Sequence, residues 1–331
     1  MKVHEAAMLL GVTPRALRYY EQKGLIKPWK EEENGYRAYS EEDIERLRWI
    51  VSLRELGLPL IAIADILDSL AEPDAFFRKV DGARAALYEE WLDMEKALRS
   101  LDDALSDWQR SGEADLLLAE RAAEQMRRTR QLRSSWSDQW NYDELASRYG
   151  EFAPLVHIEA MLTKEQYYRS LVRTADWLDP QPGELGLELG AGSGNLTALL
   201  AAGGARLTVI EQSARMLAIL RNRLPDVEAR QGNLLALPLA GHAYAFIGCS
   251  FALHHLNQSQ QLLALEEMDR VLRIGGRLAL TGFMEESRGQ SGGQASPSSL
   301  PELIGWLERR SYATVHEKLY DGTHLLFAVK P

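Results

Sequence analysis

Apolar positions recur at two spacings along the chain, and the places where the spacing changes divide it into segments. At the start, Val3, Ala6, Ala7, Leu9 and Leu10 stand at helical intervals, and Gly11 follows where a chain leaves a helix through the left-handed region. Thr13 then Pro14 predict a second helix, because a threonine hydroxyl accepts from an otherwise unpaired amide and proline loses nothing at the first helical position. On that helix Ala16, Leu17 and Tyr20 form the inward stripe, while Arg15, Arg18 and Tyr19 project outward. Two short helices about a glycine turn predict a helix-turn-helix. The next stretch, LIKPWKEEENGYRAYS, reads as two strands about Asn34-Gly35, a dipeptide that favours the type I′ hairpin. This makes a wing, with Tyr36, Arg37, Lys27 and Lys30 near a phosphate backbone. Ser40 with Asp43 three residues on starts another helix as a capping box, and a further helix follows Leu58-Pro59.

From Leu87 the pattern becomes a seam: Trp91, Met94, Leu98, Leu101, Leu105 and Trp108 alternate in steps of three and four. Glu89, Glu90, Arg99 and Asp102 flank it. Such a stripe serves either a coiled coil with a second copy or a helix packed on its own domain. Ser111-Gly112 interrupts the pattern, and LLLAERAAEQMRRTRQLR predicts another helix whose basic end (Arg127, Arg128, Arg130, Arg133) is expected to be solvated, as cations are favoured there. Trp136, Trp140, Tyr142 and Tyr149 form an aromatic bridge into the C-terminal part of the chain.

Beyond Leu185, short apolar runs alternate with helical patterns, which predicts a mostly parallel sheet with helices on both faces. Ligands of such sheets lie beyond the carboxyl ends of the strands. The loop in LELGAGSGNL stands there. It lacks the Gly-Lys-Ser/Thr of a phosphate loop, and Asn195 occupies the sixth position of a dinucleotide fingerprint that asks for Gly or Ala. A carboxylate ahead of the glycines, Glu188, suits a ligand with an amino group and no pyrophosphate. The Ser/Gly-rich segment SRGQSGGQASPSS is expected to be a mobile loop or lid, and TVHEKLYDGTHLLFAVKP to be two antiparallel strands joined near Asp321-Gly322.

The 331 residues exceed what one core usually serves, so a multidomain chain is expected. One cysteine, Cys249, provides no disulfide framework and no metal cluster; it is expected to be a small buried filler, and no metal site is expected. No apolar run approaches the roughly 18 residues of a membrane span, so a soluble cytoplasmic protein without a membrane partner is expected. A net charge of −10 argues against coating nucleic acid by bulk charge, yet a few placed arginines suffice for a local reader. The Glu31-Glu32-Glu33 run is expected to keep the wing tip away from phosphate.

Taken together, GVTPRALRYYEQKGLIKP, ENGYRAYSEEDIERL and LRELGLPLIAIADIL resemble the DNA-binding domain of MerR-family transcription regulators. The resemblance implies a winged helix-turn-helix over residues 1–72 that binds palindromic promoter DNA as a dimer, through Arg15, Arg18 and Tyr19 on the recognition helix and Lys27, Tyr36 and Arg37 at the wing. It also implies that residues 73–134 hold the dimerisation helix, an antiparallel coiled coil around 87–108, and a helical connector.

Over residues 135–331 the pattern Glu188-x-Gly190-x-Gly192-x-Gly194 resembles the first motif of class I S-adenosylmethionine-dependent methyltransferases, a Rossmann-like α/β fold. Glu211 at the end of the second strand, Gly232-Asn233 after the third, CSFALHHL and LEEMDRVLRIGGRLAL follow in the family's order. The resemblance implies S-adenosylmethionine as cofactor, bound by Glu188, Gly190, Gly192, Gly194, Glu211, Gln212, Gly232, Asn233, Leu234 and Ser250, and a small-molecule methyl acceptor. His254 and His255 are candidate bases, with Glu285 and Glu286 behind them. Ala245 stands where many members carry Asp, which bears on turnover more than on binding. Three readings of this domain are open: a methyltransferase, a non-catalytic ligand sensor controlling promoter binding, and a nicotinamide-dependent oxidoreductase.

Overall fold

The structure is a computed structural model and describes residues 1–30, 35–112, 116–159, 161–286 and 297–331. It forms two compact units, Met1–Leu87 and Tyr88–Pro331. The acidic run 31–33, Asn34 of the turn and most of the Ser/Gly-rich segment (287–296) lie outside the described residues.

In the first unit, α1 (Val3–Leu9) and α2 (Pro14–Gln22) flank Gly11, whose φ of +66° supplies the turn between them. The Thr13 hydroxyl accepts from Ala16 N at 3.2 Å, as the capping pattern requires. Strands β1 (Trp29–Lys30) and β2 (Arg37–Ala38) pair antiparallel. In α3 (Glu41–Glu55) Ser40 and Asp43 close the capping box, and α4 (Leu60–Leu67) starts after Pro59. Leu17, Leu47, Ile50 and Ile63 are fully buried in one core. Of the apolar positions on the short α1, Ala6 and Ala7 are buried and Leu9 is half exposed.

The seam belongs to α5 (Pro73–Ser111), a helix of 39 residues that begins well before the seam does. A second long helix, α6 (Leu116–Ser134), comes next, and the aromatic bridge leads through α7 (Tyr142–Tyr149) and the short α8 (Leu155–Ile158) to α9 (Lys164–Leu178). From there strands and helices alternate: β3 (Leu185–Leu189), α10 (Asn195–Ala202), β4 (Arg206–Glu211), α11 (Ala214–Arg223), β5 (Glu228–Gln231), β6 (Tyr244–Ser250), α12 (Gln258–Val271) and β7 (Leu272–Glu285). The short β8 (Ser298–Ser299), α13 (Leu300–Glu308), β9 (Ala313–Tyr320) and β10 (Thr323–Val329) complete the unit.

The sheet runs β5-β4-β3-β6-β7-β10-β9, with β8 beside β7. Its first five strands are parallel, and β10 lies antiparallel to both β7 and β9, the hairpin expected about Asp321-Gly322. Strand order reverses between β3 and β6, so their carboxyl ends open the crevice where such sheets bind ligands. Two apolar layers sandwich the sheet, one containing Leu265 and Trp306, the other Leu171, Leu200 and Phe246. Gly186 in β3 serves the second layer: a Cβ there would come within 2.1 Å of the Phe246 ring. Among the described residues no helix is long and apolar enough to cross a membrane.

Candidate functional site

The crevice holds a cavity of about 310 Å³ at the ends of β3, β4 and β6. Its floor is the glycine loop, where Gly190 and Gly192 have φ of +67° and +53°. A Cβ on Gly190 would meet the Ala252 Cβ at 2.5 Å, so only glycine lets the loop pass under the segment after β6. The loop's amides are turned inward: Gly190 N and Ala191 N donate to Ile210 O, and Gly192 N to Glu211 Oε2 at 2.7 Å. These N–H groups are therefore not offered to a pyrophosphate, which weighs against the dinucleotide reading.

Two buried carboxyls line the cavity. Glu188 is 1% exposed; burial pushes its pKa up to about 8, and the Glu211 charge adds to the rise. Its Oε2 has no hydrogen-bond partner among the described residues. Glu211 is anchored differently. Its oxygens accept from Gly192 N and, at 2.8 Å, from Ser213 N, and these amides oppose the upward push of burial on its pKa. Each oxygen can accept a further hydrogen bond.

The far wall comes from the aromatic bridge. Asp138 accepts from Trp140 N at 3.0 Å and Tyr142 N at 2.8 Å, folding that segment over the cavity. The Tyr142 hydroxyl meets His255 Nε2 at 2.9 Å, and the Trp140 ring stands edge-on to His255 with centroids 4.5 Å apart. Burial raises the Tyr142 pKa, so the phenol stays protonated. Asp143, at the start of α7, holds Ser213 Oγ at 2.6 Å and so ties the bridge to α11. Among the described residues no lysine or arginine lines the cavity, whereas Asp138, Glu188 and Glu211 do. Such a lining favours a cationic ligand over an anionic one.

Of the cofactor residues expected from sequence, Glu188, Gly190, Gly192, Glu211, Gln212, Asn233, Leu234 and Ser250 meet in this cavity, and His254 and His255 line it too. Gly194 and Gly232 are not on its lining. Gly194, with φ of +90°, caps α10 against Leu220 and Leu224, and Gly232 packs on Pro238 and Ile210. Glu286 sits instead near Lys318 and His324. Asn195 is buried between Tyr167 and Arg223, with its amide oxygen 3.1 Å from an Arg223 nitrogen. Cys249 is buried, and burial pushes its thiol up to about 12. Asp138 and Tyr167, both on the lining, carry little signal in the sequence. Tyr167 sits on the buried stripe of α9 and looks like any core aromatic, while Asp138 is marked only by its place beside the tryptophans.

In the first unit, Arg15, Arg18 and Tyr19 are exposed along α2, and Lys27 is exposed before the hairpin. Arg37 is partly buried. Its Nε donates to Glu21 Oε2 at 2.5 Å, pinning the wing to α2 and holding the Glu21 carboxyl below its usual range. Tyr36 remains largely exposed.

A family profile described as MerR HTH family regulatory protein matches residues 1–70, and one described as methyltransferase domain matches 187–276. An uncharacterized methyltransferase of Alkaliphilus oremlandii is 32% identical over 146 residues, 44% of this chain and 67% of that protein. The chain belongs to the methyltransferases and carries a MerR helix-turn-helix domain ahead of that fold. A demethylmenaquinone methyltransferase of Renibacterium salmoninarum is 29% identical over 44% of this chain and 62% of its own length. For the first domain, a probable heavy metal-dependent transcriptional regulator of Haemophilus influenzae is 41% identical over 80 residues, 24% of this chain and 62% of the relative. The chain thus spans about two thirds or less of the length of each relative.

Proposed function

We propose that the chain is a dimeric, DNA-binding transcription regulator whose C-terminal domain binds S-adenosylmethionine and transfers its methyl group to a small-molecule acceptor. The observation that carries the cofactor reading is the unpartnered Oε2 of Glu188 beside a glycine loop whose amides point inward. A cation in the cavity would relieve Glu188, and the anchored Glu211 suits a pair of ribose hydroxyls. The cofactor supplies an electrophilic methyl on a sulfonium, so the chain's own work is proximity, orientation and exclusion of water. Trp136, Trp140 and Tyr142 keep the cavity dry, and His255, paired with the Tyr142 hydroxyl, is the candidate to receive a proton from the acceptor.

Support for the dimer comes from α5, whose seam residues Trp91, Met94, Leu98, Leu101, Leu105 and Trp108 are each 46–62% exposed. A continuous apolar stripe of this kind marks an interaction surface. Support for DNA binding comes from the outward Arg15, Arg18 and Tyr19 on a helix that follows a glycine turn. A second reading, in which the domain senses the cofactor without turnover, is favoured by the link that Arg133 makes between α5 and Leu235, next to the cavity wall.

Calorimetry with S-adenosylmethionine and with NAD tests the cofactor. Binding of the first alone is expected, and binding of NAD alone would overturn the reading. Incubation with labelled methyl donor and cell extract separates enzyme from sensor: label in a small molecule, absent with Gly192→Arg, supports transfer, and no label above that control supports the sensor.

A further inference from the structure

The basic end of α6, expected to be solvated, is instead tied into the protein at its last arginine. Arg133 is buried, its side chain 5% exposed, and its fork spans two elements. One guanidinium nitrogen donates to Asp93 Oδ1 on α5 at 2.8 Å, and Nε donates to the Leu235 carbonyl at 3.1 Å. Asp93 is held on its other side by Arg130 Nε at 2.6 Å. Glu89, one turn earlier on α5, comes within 4.0 Å of Arg133.

Leu235 is a core residue directly next to the cavity wall. Its amide donates to Asn233 Oδ1 at 2.8 Å, and Asn233 and Leu234 line the cavity. The other end of the link is as firm. Gln260 on α12 donates to Leu132 O at 3.0 Å and Ser135 Oγ at 3.3 Å, and Trp136, whose amide donates to Arg133 O, is itself cavity wall. A buried arginine with two fixed partners leaves little room for one to move alone, because its charge must stay paired in a dry setting. The Arg133 fork therefore joins α5, the helix with the exposed seam, to the residues around the ligand.

We propose that Arg133 is a positioning residue that makes the order of α5 and the affinity of the cavity depend on each other. The proposal rests on the cofactor reading above and adds to it the route by which occupancy reaches the helix. Coupling of this kind is reciprocal: whatever ligand binding does to α5, a change in α5 does to ligand binding. α5 begins at Pro73 and the first unit extends to Leu87, so one helix runs from the first unit into the second.

Hydrogen exchange on the full-length protein, with and without S-adenosylmethionine, tests this. In the wild type the cofactor should slow exchange both around 231–236 and along α5 near Asp93. In Asp93→Asn the first effect should persist and the second be lost. Arg133→Lys, which keeps a cation for Asp93 but lacks the fork that reaches both partners, should behave the same way and serves if Asp93→Asn does not fold. Slowing in the cavity wall alone, in the wild type, overturns the coupling while leaving the cofactor reading intact. An α5 response that survives in both variants overturns the role of Arg133. Failure of the wild type to bind S-adenosylmethionine by calorimetry removes the cofactor reading and this inference with it.

Discussion

At Glu188 burial raises the carboxyl from its ordinary 4.5 to about 8, so between those values the folded chain keeps a proton that the unfolded chain has released. Stability without ligand must then fall as pH rises through the window, by up to about 1.4 kcal/mol per pH unit. Glu188→Gln removes the titration. The variant is expected to melt above the wild type at pH 8 and level with it near pH 4.5, as thermal denaturation across that range would register; parallel curves would show that Glu188 ionises freely. The ligand reverses the sign. A cation favours the carboxylate, so cofactor affinity should climb from pH 6 to 8 in the wild type, at most about tenfold per unit, and stay flat in Glu188→Gln. Gly190 makes a second test of the floor. Gly190→Ala combines a φ of +67° with a Cβ 2.5 Å from Ala252, and a loss of about 1–3 kcal/mol is expected by chemical denaturation. Adding Ala252→Gly should recover the clash and leave the backbone strain; no recovery at all would mean the loop shifts instead.

Elements whose ends are set by local chemistry are legible in the amino-acid sequence alone. Thr13-Pro14 starts α2, Ser40 with Asp43 starts α3, and the apolar runs after Leu185 are strands in the expected order. The hidden features depend on partners distant in sequence. Arg133 looks like a solvated helix end until Asp93 and Leu235 close on it, at separations of 40 and 102 residues. The wing arginine is similar: nothing in the hairpin announces that Glu21 claims Arg37. The candidate site is intermediate, since Glu188, the glycines and Glu211 follow strand ends that sequence reveals, while Tyr167 and Asp138 enter from elements that only packing brings over the cavity. For α5 the legible part is the seam and the hidden part is its beginning. Phe76, early in the helix, packs on the first unit's core instead of continuing the stripe. If the stripe joins two copies, Leu98→Glu with Leu101→Glu buries two carboxylates per helix against apolar partners. Sedimentation should then show a monomer at concentrations where the wild type is a dimer; a dimer unaffected by both changes would locate the contact elsewhere.

For the whole molecule the question is how a chain of net charge −10 holds a polyanion. Its attraction must come from a few cations in one place. With Arg37 and Lys30 both engaged by Glu21, the exposed residues left of the expected contact set are Arg15, Arg18 and Lys27. In a dimer these make about six phosphate-range charges, and release of condensed counterions predicts a slope of about −5 for log affinity against log salt. Bulk charge contributes little here, so binding to arbitrary duplex should be weak even at low salt. The measurement is an anisotropy titration over a range of salt, on a duplex selected from a random pool by the wild-type protein. Arg18→Ala, changed in both copies, should make the slope shallower by about 2 if it meets phosphate, with affinity falling alike on all sequences. An unchanged slope with relaxed sequence preference would move Arg18 from backbone to base edges. An unchanged slope and affinity would take it off the DNA altogether, and assign the phosphate contacts to other exposed cations of the first unit, such as Lys23 and Arg48 beside Arg15 and Lys27.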